Sequence, residues 1–329
     1  MKLSRNRLLD MNEFLRLYKK FGGKELFYQW LKSRVLLFAF FELILLGFSK
    51  KGLEILRLAV QYKIQLKLKR KYKSVILRSD SSAYDSLPKV LSNKVWFCWF
   101  QGIENAPLLV KRCYDSLKKN LHDRDIIVLD ADNIDYYINL PVYIIQKWEQ
   151  GLITNTHFSD ILRVEILISH GGTWIDSTVF CTSQDIPHYI FNSDLFLYQM
   201  LKPGLNGNSI YISSWLMSST TNNKVLLLTR DLLHDYWKNN NKLIDYFLLH
   251  HFICISLNKY PEEQKKIPKI PNSIPHILLL QLFEKYDERS FNAIMSITPF
   301  HKLSYKWSNE DLERKDTFYE KIIIKGELI

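Results

Sequence analysis

Seven residues constrain this chain more than any others. Lys94 to Phe100 read KVWFCWF, a nearly continuous apolar run closed by Gly102. Such a run suits a strand buried on both faces, and so a sheet with helices on each side. The next residues agree. Pro107 opens a helical pattern in which Leu109, Cys113 and Leu117 recur every four residues, and proline is favoured at the first helical position. Asp125 to Leu129, DIIVL, reads as a second short strand. Strand, helix and strand within roughly 35 residues make a βαβ unit, with parallel strands and a right-handed crossover. Pro141 opens a further helix, ended by Gly151. The predicted class is α/β, with a mainly parallel sheet flanked by helices and with Trp96 and Trp174 on strands.

Charge divides the chain before that body begins. The net charge is +11, yet residues 1–79 carry 19 Lys and Arg against 5 Asp and Glu, while the remainder carries 26 against 29. A strongly basic head therefore precedes a slightly acidic body, with a boundary placed at residues 1–88 and 89–329. The polar stretch Ser79 to Pro88 is the linker candidate. Basic patches meet nucleic acid, acidic partners or anionic membrane. Nucleic acid is set aside: no RNP, zinc-finger or helix-turn-helix pattern occurs, and the aromatics lie in apolar runs. Val35 to Phe48, VLLFAFFELILLGF, has 14 residues with Glu42 near the middle. A bilayer core needs about 20, so the run is not expected to span. From Leu53 to Lys73, the residues Leu53, Leu56, Val60, Ile64 and Leu68 form one helical stripe with a basic back. Ile64, Leu66 and Leu68 also alternate with polar residues, so the end of the run reads equally as a strand. Two accounts stand side by side. The stripe lies in a membrane interface, or it packs on the body and leaves a solvated basic face. The first gives peripheral attachment to an anionic membrane surface, on the inner face of the plasma membrane.

Four cysteines, Cys98, Cys113, Cys181 and Cys254, are widely spaced and form no CxxC. A disulfide scaffold and a cysteine zinc site are excluded, and a reducing, cytoplasmic setting is expected. No cleavable signal peptide is recognised. No GxSxG or GxxxxGK[ST] occurs, so serine-hydrolase and P-loop chemistry have no motif to rest on.

The most informative segment is Thr154 to Thr182, TNTHFSDILRVEILISHGGTWIDSTVFCT. Thr156 or Ser159 can cap a helix that runs to about His170, and Gly171-Gly172 can end it. Asp160 and Arg163, three apart, share one helix face. A β-rich run comes next with Asp176 in its middle. Ligands of open α/β sheets bind beyond the carboxyl ends of the strands, so one acid, one cation and a second acid can reach one crevice. Taken alone, Asp160 and Arg163 also read as an ordinary intrahelical ion pair, and Asp176 as an ordinary strand-end acid.

The same segment resembles the glycosyltransferases of the GT-A fold that carry a DXD-type motif. The nearer likeness is to the bacterial capsular polysaccharide synthesis glycosyltransferases. It rests on VWFCWFQGIENAP (Val95 to Pro107), SDILR (Ser159 to Arg163), GGTWIDST (Gly171 to Thr178) and HKLSYK (His301 to Lys306), and spans about Lys94 to Trp307 with no part in the head. The resemblance implies a GT-A body behind an N-terminal helical subdomain, and a hexosyltransferase-type enzyme that takes a nucleotide-sugar donor. The acceptor would be a glycan, lipid-linked in a capsular or surface polysaccharide.

It also implies roles. Asp160 would hold ribose or sugar hydroxyls and Arg163 the donor sugar or phosphate; carboxylates accept from hydroxyls and guanidinium grips oxyanions. Asp176 would hold a divalent Mn²⁺ or Mg²⁺ against the donor diphosphate. The second acidic place of the motif is Thr178 here, so the ion would be weakly held without donor, and His301 is a candidate to complete its shell. Trp99, Gln101 and Gly102 would meet the nucleotide base. Gly172, Ser214, Trp215 and Lys302 would line the donor pocket, with Lys302 or Lys306 on phosphate. Asp245 is the candidate acceptor-side base, although an acid at a helix N-terminus is the plainer account. The alternatives are a soluble transferase acting on protein or free glycan, and a degenerate sugar-binding assembly factor. The donor sugar, nucleotide, stereochemistry and oligomeric state are not legible.

Overall fold

The computed structural model describes residues 24–327 apart from 48, 80 and 205. The first 23 residues of the basic head, and Phe48 at the end of its apolar run, lie outside the described residues. The head contributes α1 (Lys24–Lys32), α2 (Leu36–Leu46), α3 (Lys50–Lys71) and α4 (Lys73–Arg78). The body continues as β1 (Lys94–Cys98), α5 (Leu108–Asn120), β2 (Asp125–Leu129), α6 (Val142–Glu149), α7 (Asn155–His170), β3 (Gly172–Ile175) and β4 (Val179–Cys181). Then come β5 (Leu195–Gln199), β6 (Ile212–Ser219), α8 (Lys224–Asn239), α9 (Leu248–Lys259) and β7 (Phe300–Lys302), with shorter helices between.

The central sheet runs in the order β2-β1-β3-β6-β5. β1 pairs in parallel with both β2 and β3, while β6 is antiparallel to β3 and to β5. Four strands thus point one way and β6 alone is reversed, the mainly parallel α/β arrangement expected. Trp96 and Trp174 lie on strands and pair directly across β1 and β3. Side chains alternate along a strand, and the two faces of β1 fill two cores. Val95 and Phe97 pack with Val110 and Leu117 of α5. Trp96 packs with Trp174 and with Phe158 and Ile161 of α7. A separate two-stranded ribbon joins β4 to β7.

Gly172 shows how tightly β1 and β3 approach. Its φ is +90°, and a Cβ there would lie 2.3 Å from the Lys94 carbonyl oxygen. Only glycine adopts that backbone and that spacing at no cost. Gly171, at φ +64°, ends α7 as expected. The cap at the other end differs: the helix starts at Asn155 behind Thr154, and no side chain caps it. Thr156 and Ser159 lie inside the first turns instead.

The head corrects two expectations. The run from Leu53 to Lys73 is helix to Lys71, with no strand in it. Its stripe does not lie free for a membrane. Leu56, Val60, Ile64, Leu68 and Tyr72 are buried in the same core as Tyr236 and Phe252 of α8 and α9, and the Tyr72 and Phe252 rings meet edge to face at 5.5 Å. An amphipathic stripe serves either use, and here burial against two body helices takes it. The linker candidate is likewise pinned to the body: the Tyr84 hydroxyl donates to Asp231 Oδ2 at 2.7 Å, and Lys224 meets Asp85 at 3.0 Å. Among the described residues of the head, α2 leaves most of its apolar side chains in solvent. Leu37 is 75% exposed, Phe41 62% and Leu45 79%, while only Ala39 is fully buried. No described helix is long and apolar enough to cross a membrane.

Candidate functional site

The parallel strands determine where the site forms. Trp99 comes after β1, Asp130 after β2 and Asp176 after β3, so all three reach one edge of the sheet. β6 runs the other way and begins at that edge: the Asp176 backbone N–H donates to the Trp215 carbonyl at 2.8 Å. The N-terminal half of α7 lies over the same place and supplies Asp160 and Arg163, both buried.

Arg163 is the centre of the cluster. Its Nη1 donates to the Ser214 carbonyl at 2.7 Å and to Ser214 Oγ at 3.1 Å. Its Nε donates to the Ser159 carbonyl and its Nη2 to Ser159 Oγ, both at 3.2 Å. The same guanidinium lies 3.3 Å from Asp160 Oδ1 and 3.4 Å from Asp176 Oδ1, with its carbon 5.0 Å from the centre of the Trp174 ring. A buried guanidinium needs such pairing, and these partners fix its direction.

Asp176 takes a second cation from the far end of the body. Lys302, on β7, sits beside Val179 of β4. Its Nζ lies 3.1 Å from Asp176 Oδ2 and donates to Thr178 Oγ1 at 2.6 Å. Trp174 Nε1 adds a donor to Asp176 Oδ1 at 3.0 Å. Burial pushes the Asp176 carboxyl upward, but Lys302 and Arg163, with the indole, hold it below the usual carboxylate range. Two carboxylates and two cations thus converge and balance. Lys302 bridges the side chains of Asp176 and Thr178.

Several expected residues stand apart. His301 neighbours Lys302 on a strand, and neighbours point to opposite sides. Its ring is fully buried, with Nε2 3.1 Å from Thr182 Oγ1, and burial pushes its pKa down to about 4. It is therefore not placed as a partner of Asp176. Asp245 accepts the Phe247 backbone N–H at 2.7 Å and lies 3.6 Å from His251 Nε2, the helix-start role rather than the acceptor-side one. Gly172 begins β3, at the end of the strand opposite Asp176, and serves strand spacing. Trp215 stacks on Tyr198 at 4.7 Å and donates to Asn272 Oδ1, so of the pair only Ser214 lines the cluster. Ser213, Ser214 and Trp215 lie near the start of β6. Gln101 is exposed, Gly102 turns with φ +77°, and Lys306 lies in solvent over the Tyr305 ring. The Trp99 ring meets Tyr305 edge to face at 5.6 Å, and its buried Nε1 has no partner among the described residues.

The sequence profile of the capsular polysaccharide synthesis protein family matches residues 48–322. The chain belongs to that family. The match begins at the threshold of α3, so the family's span takes in a part of the head that the motif resemblance left out. No curated protein matches this family member. Among solved structures, a chain titled PaToxG Glycosyltransferase is similar at 16% identity, covering 78% of this chain and 95% of its own, with a TM-score of 0.35.

In this family member two histidines, His157 buried and His250 partly buried, join the cluster without having been anticipated. His157 Nδ1 lies 3.4 Å from Asp160 Oδ2, and its ring packs on Tyr246 at 5.5 Å. His250 Nε2 lies 3.2 Å from Ser214 Oγ, and burial lowers its pKa to about 4. The i, i+3 spacing of His157 and Asp160 was a usable signal; nothing in the sequence around His250 was. Among the described residues no group of three or more His, Cys, Asp or Glu is placed to hold a metal ion.

Proposed function

We propose that this protein is a glycosyltransferase that moves a sugar from a nucleotide-diphosphate donor onto a growing, lipid-linked capsular or surface glycan. The observation that carries the reading is the meeting of Asp160, Arg163, Asp176 and Lys302 at the carboxyl edge of the parallel strands. As the bond from sugar to diphosphate breaks, negative charge gathers on the leaving phosphate. Arg163 is already oriented by its serine and aspartate partners, so it stabilises that charge without reorganising. Lys302 shifts from Asp176 and Thr178 to a phosphate oxygen over a short distance. Asp160, beside His157 and Arg163, accepts from donor hydroxyls. Trp99 and Tyr305 offer aromatic surface to the base at the mouth of the crevice.

A divalent Mn²⁺ or Mg²⁺ belongs to the proposal in a limited way. The donor set of this site is one carboxylate, Asp176, with the Thr178 hydroxyl. That set fits a hard cation which takes most of its oxygens from phosphate. When bound, such an ion supplies Lewis-acid neutralisation of the leaving diphosphate.

A screen of sugar nucleotides tests the reading through metal-dependent donor hydrolysis and thermal stabilisation. The right donor at 100 times its dissociation constant stabilises by about 2.7 kcal/mol. If a donor stabilises the protein and no hydrolysis or transfer results under any metal, the assembly-factor account replaces this one. The exposed face of α2 supports working at a membrane surface, with the basic head toward anionic lipid.

A further inference from the structure

A second gathering of cations lies in the head, apart from the sheet edge. Between the α1–α2 turn and α3 is an open cavity of about 570 Å³. Five cations line it: Arg34, Lys63, Lys67, Arg70 and Lys71, and none of the lining residues is acidic. Four of them fall on one face of α3, at the three- and four-residue spacing that brings helical neighbours together. The fifth, Arg34, is held at the turn by a left-handed backbone, φ +53°. A non-glycine residue adopts that conformation only where its surroundings impose it.

Among the described residues, three of these cations touch neutral groups. Lys67 Nζ donates to the Lys32 carbonyl at 3.2 Å, Lys71 Nζ to Asn240 Oδ1 at 3.4 Å, and Lys63 Nζ sits over the Phe38 ring at 4.3 Å. Burial lowers the pKa of Lys67, and repulsion from Arg34 and Lys71 lowers it further. A cavity that concentrates positive charge without a carboxylate is complementary to a polyanion. Beside it, Val35 lines the cavity and leads directly into α2, whose Leu37, Phe41 and Leu45 face solvent at four-residue intervals. Phosphate-binding charge and an acyl-compatible face are therefore contiguous.

We infer that this cavity binds the phosphate of a lipid headgroup while α2 lies among the acyl chains. The inference rests on the proposal that the protein works at a membrane surface, and it adds a discrete site to that reading. Ammonium and guanidinium groups grip phosphate by charge-assisted hydrogen bonds, and α2 supplies attachment that needs no charge.

Sedimentation of the full chain with vesicles tests it. The probes are phosphatidylcholine vesicles, and the same vesicles containing phosphatidic acid. The variant Lys63→Gln/Arg70→Gln/Lys71→Gln changes three exposed side chains, so the fold is not at stake. Lys51→Gln/Lys69→Gln/Lys73→Gln removes equal charge from exposed head positions outside the cavity. The cavity variant is expected to lose at least about tenfold of the phosphatidic-acid-dependent binding, the control far less, and both to keep their binding to neutral vesicles. Equal losses in the two variants would reduce the cavity to diffuse surface charge and overturn the site. Inorganic pyrophosphate that stabilises the wild type while phosphatidic acid adds no binding would make the cavity a free-anion site and overturn the lipid. Donor hydrolysis by the wild type, measured without vesicles, reports separately on the transferase reading.

Discussion

The sheet edge and the head cavity both collect cations, but on opposite terms. At the edge, Arg163 and Lys302 meet Asp160 and Asp176, and the four charges cancel. In the cavity, Arg34, Lys63, Lys67, Arg70 and Lys71 meet no lining carboxylate among the described residues. A balanced cluster is rigid and accepts a ligand that is itself balanced, such as a diphosphate with a divalent ion. An unbalanced one is strained by its own repulsion and is relieved by a bare anion. The difference predicts which mutations break folding, which break chemistry and which break only attachment.

The largest effects belong to the edge. Arg163→Ala removes a charge-stabilising contact and should lower turnover by about 10²–10³, or roughly 2.7–4 kcal/mol of barrier. It also leaves Asp160 and Asp176 short of a partner, at a stability cost of about 3–5 kcal/mol. Donor hydrolysis and urea unfolding read the two separately. Asp176→Asn should abolish transfer with the fold retained; wild-type turnover in that variant would remove the site.

Lys302 sharpens the contrast. Lys302→Met should slow transfer and at the same time tighten binding of bare Mn²⁺ by about tenfold, roughly 1.4 kcal/mol, because an ammonium no longer fills the gap between Asp176 and Thr178. Thr178→Asp should tighten it as well. Calorimetric titration with Mn²⁺ reads both, and unchanged affinity in Lys302→Met would show that the lysine does not compete for the ion's place.

In the head the effect should depend on salt. Vesicle binding weakens as the Debye length falls from about 10 Å at 0.1 M to 3 Å at 1 M. A salt-resistant part remains, because burial of α2 is not screened. Leu37→Ser/Phe41→Ser/Leu45→Ser should remove that part alone. Salt-resistant binding that survives this triple change would move the apolar attachment away from α2.

Acid sensitivity belongs to the body. Burial holds His301 at a pKa of about 4 in the folded protein, against about 6.5 when unfolded. Between those values the unfolded chain binds more protons, so stability falls as pH drops from about 6.5 to about 4. His301→Gln should flatten the decline of melting temperature over that window; an unchanged slope would assign the acid sensitivity to other groups.

The body was legible in sequence because its signals are local. KVWFCWF and DIIVL are strands by composition, and the helix between them shows its own period. Asp160, Arg163 and Asp176 were legible for the same reason, since one helix, two glycines and one strand place them within 17 residues of chain. Lys302 was named as a donor-pocket residue, but its pairing with Asp176 was not visible, because it depends on β4 meeting β7. The same pairing decides between His301 and Lys302, which a reading without register treats alike. The head misled for a different reason. A stripe such as Leu56, Val60, Ile64 and Leu68 looks identical whether a bilayer or another helix covers it. Only the presence of Tyr236 and Phe252 in the same core separates the two.

Lys302 also gives the site an order of assembly. It is 126 residues beyond Asp176 in the chain, and synthesis delivers the N-terminal part first. A nascent chain can thus fold α7 onto β3 and join Arg163 to Asp176 long before the ammonium exists. Until β7 zips onto β4, Asp176 has Arg163 but not Lys302 beside it. The last strand to arrive then brings the ammonium that bridges Asp176 and Thr178.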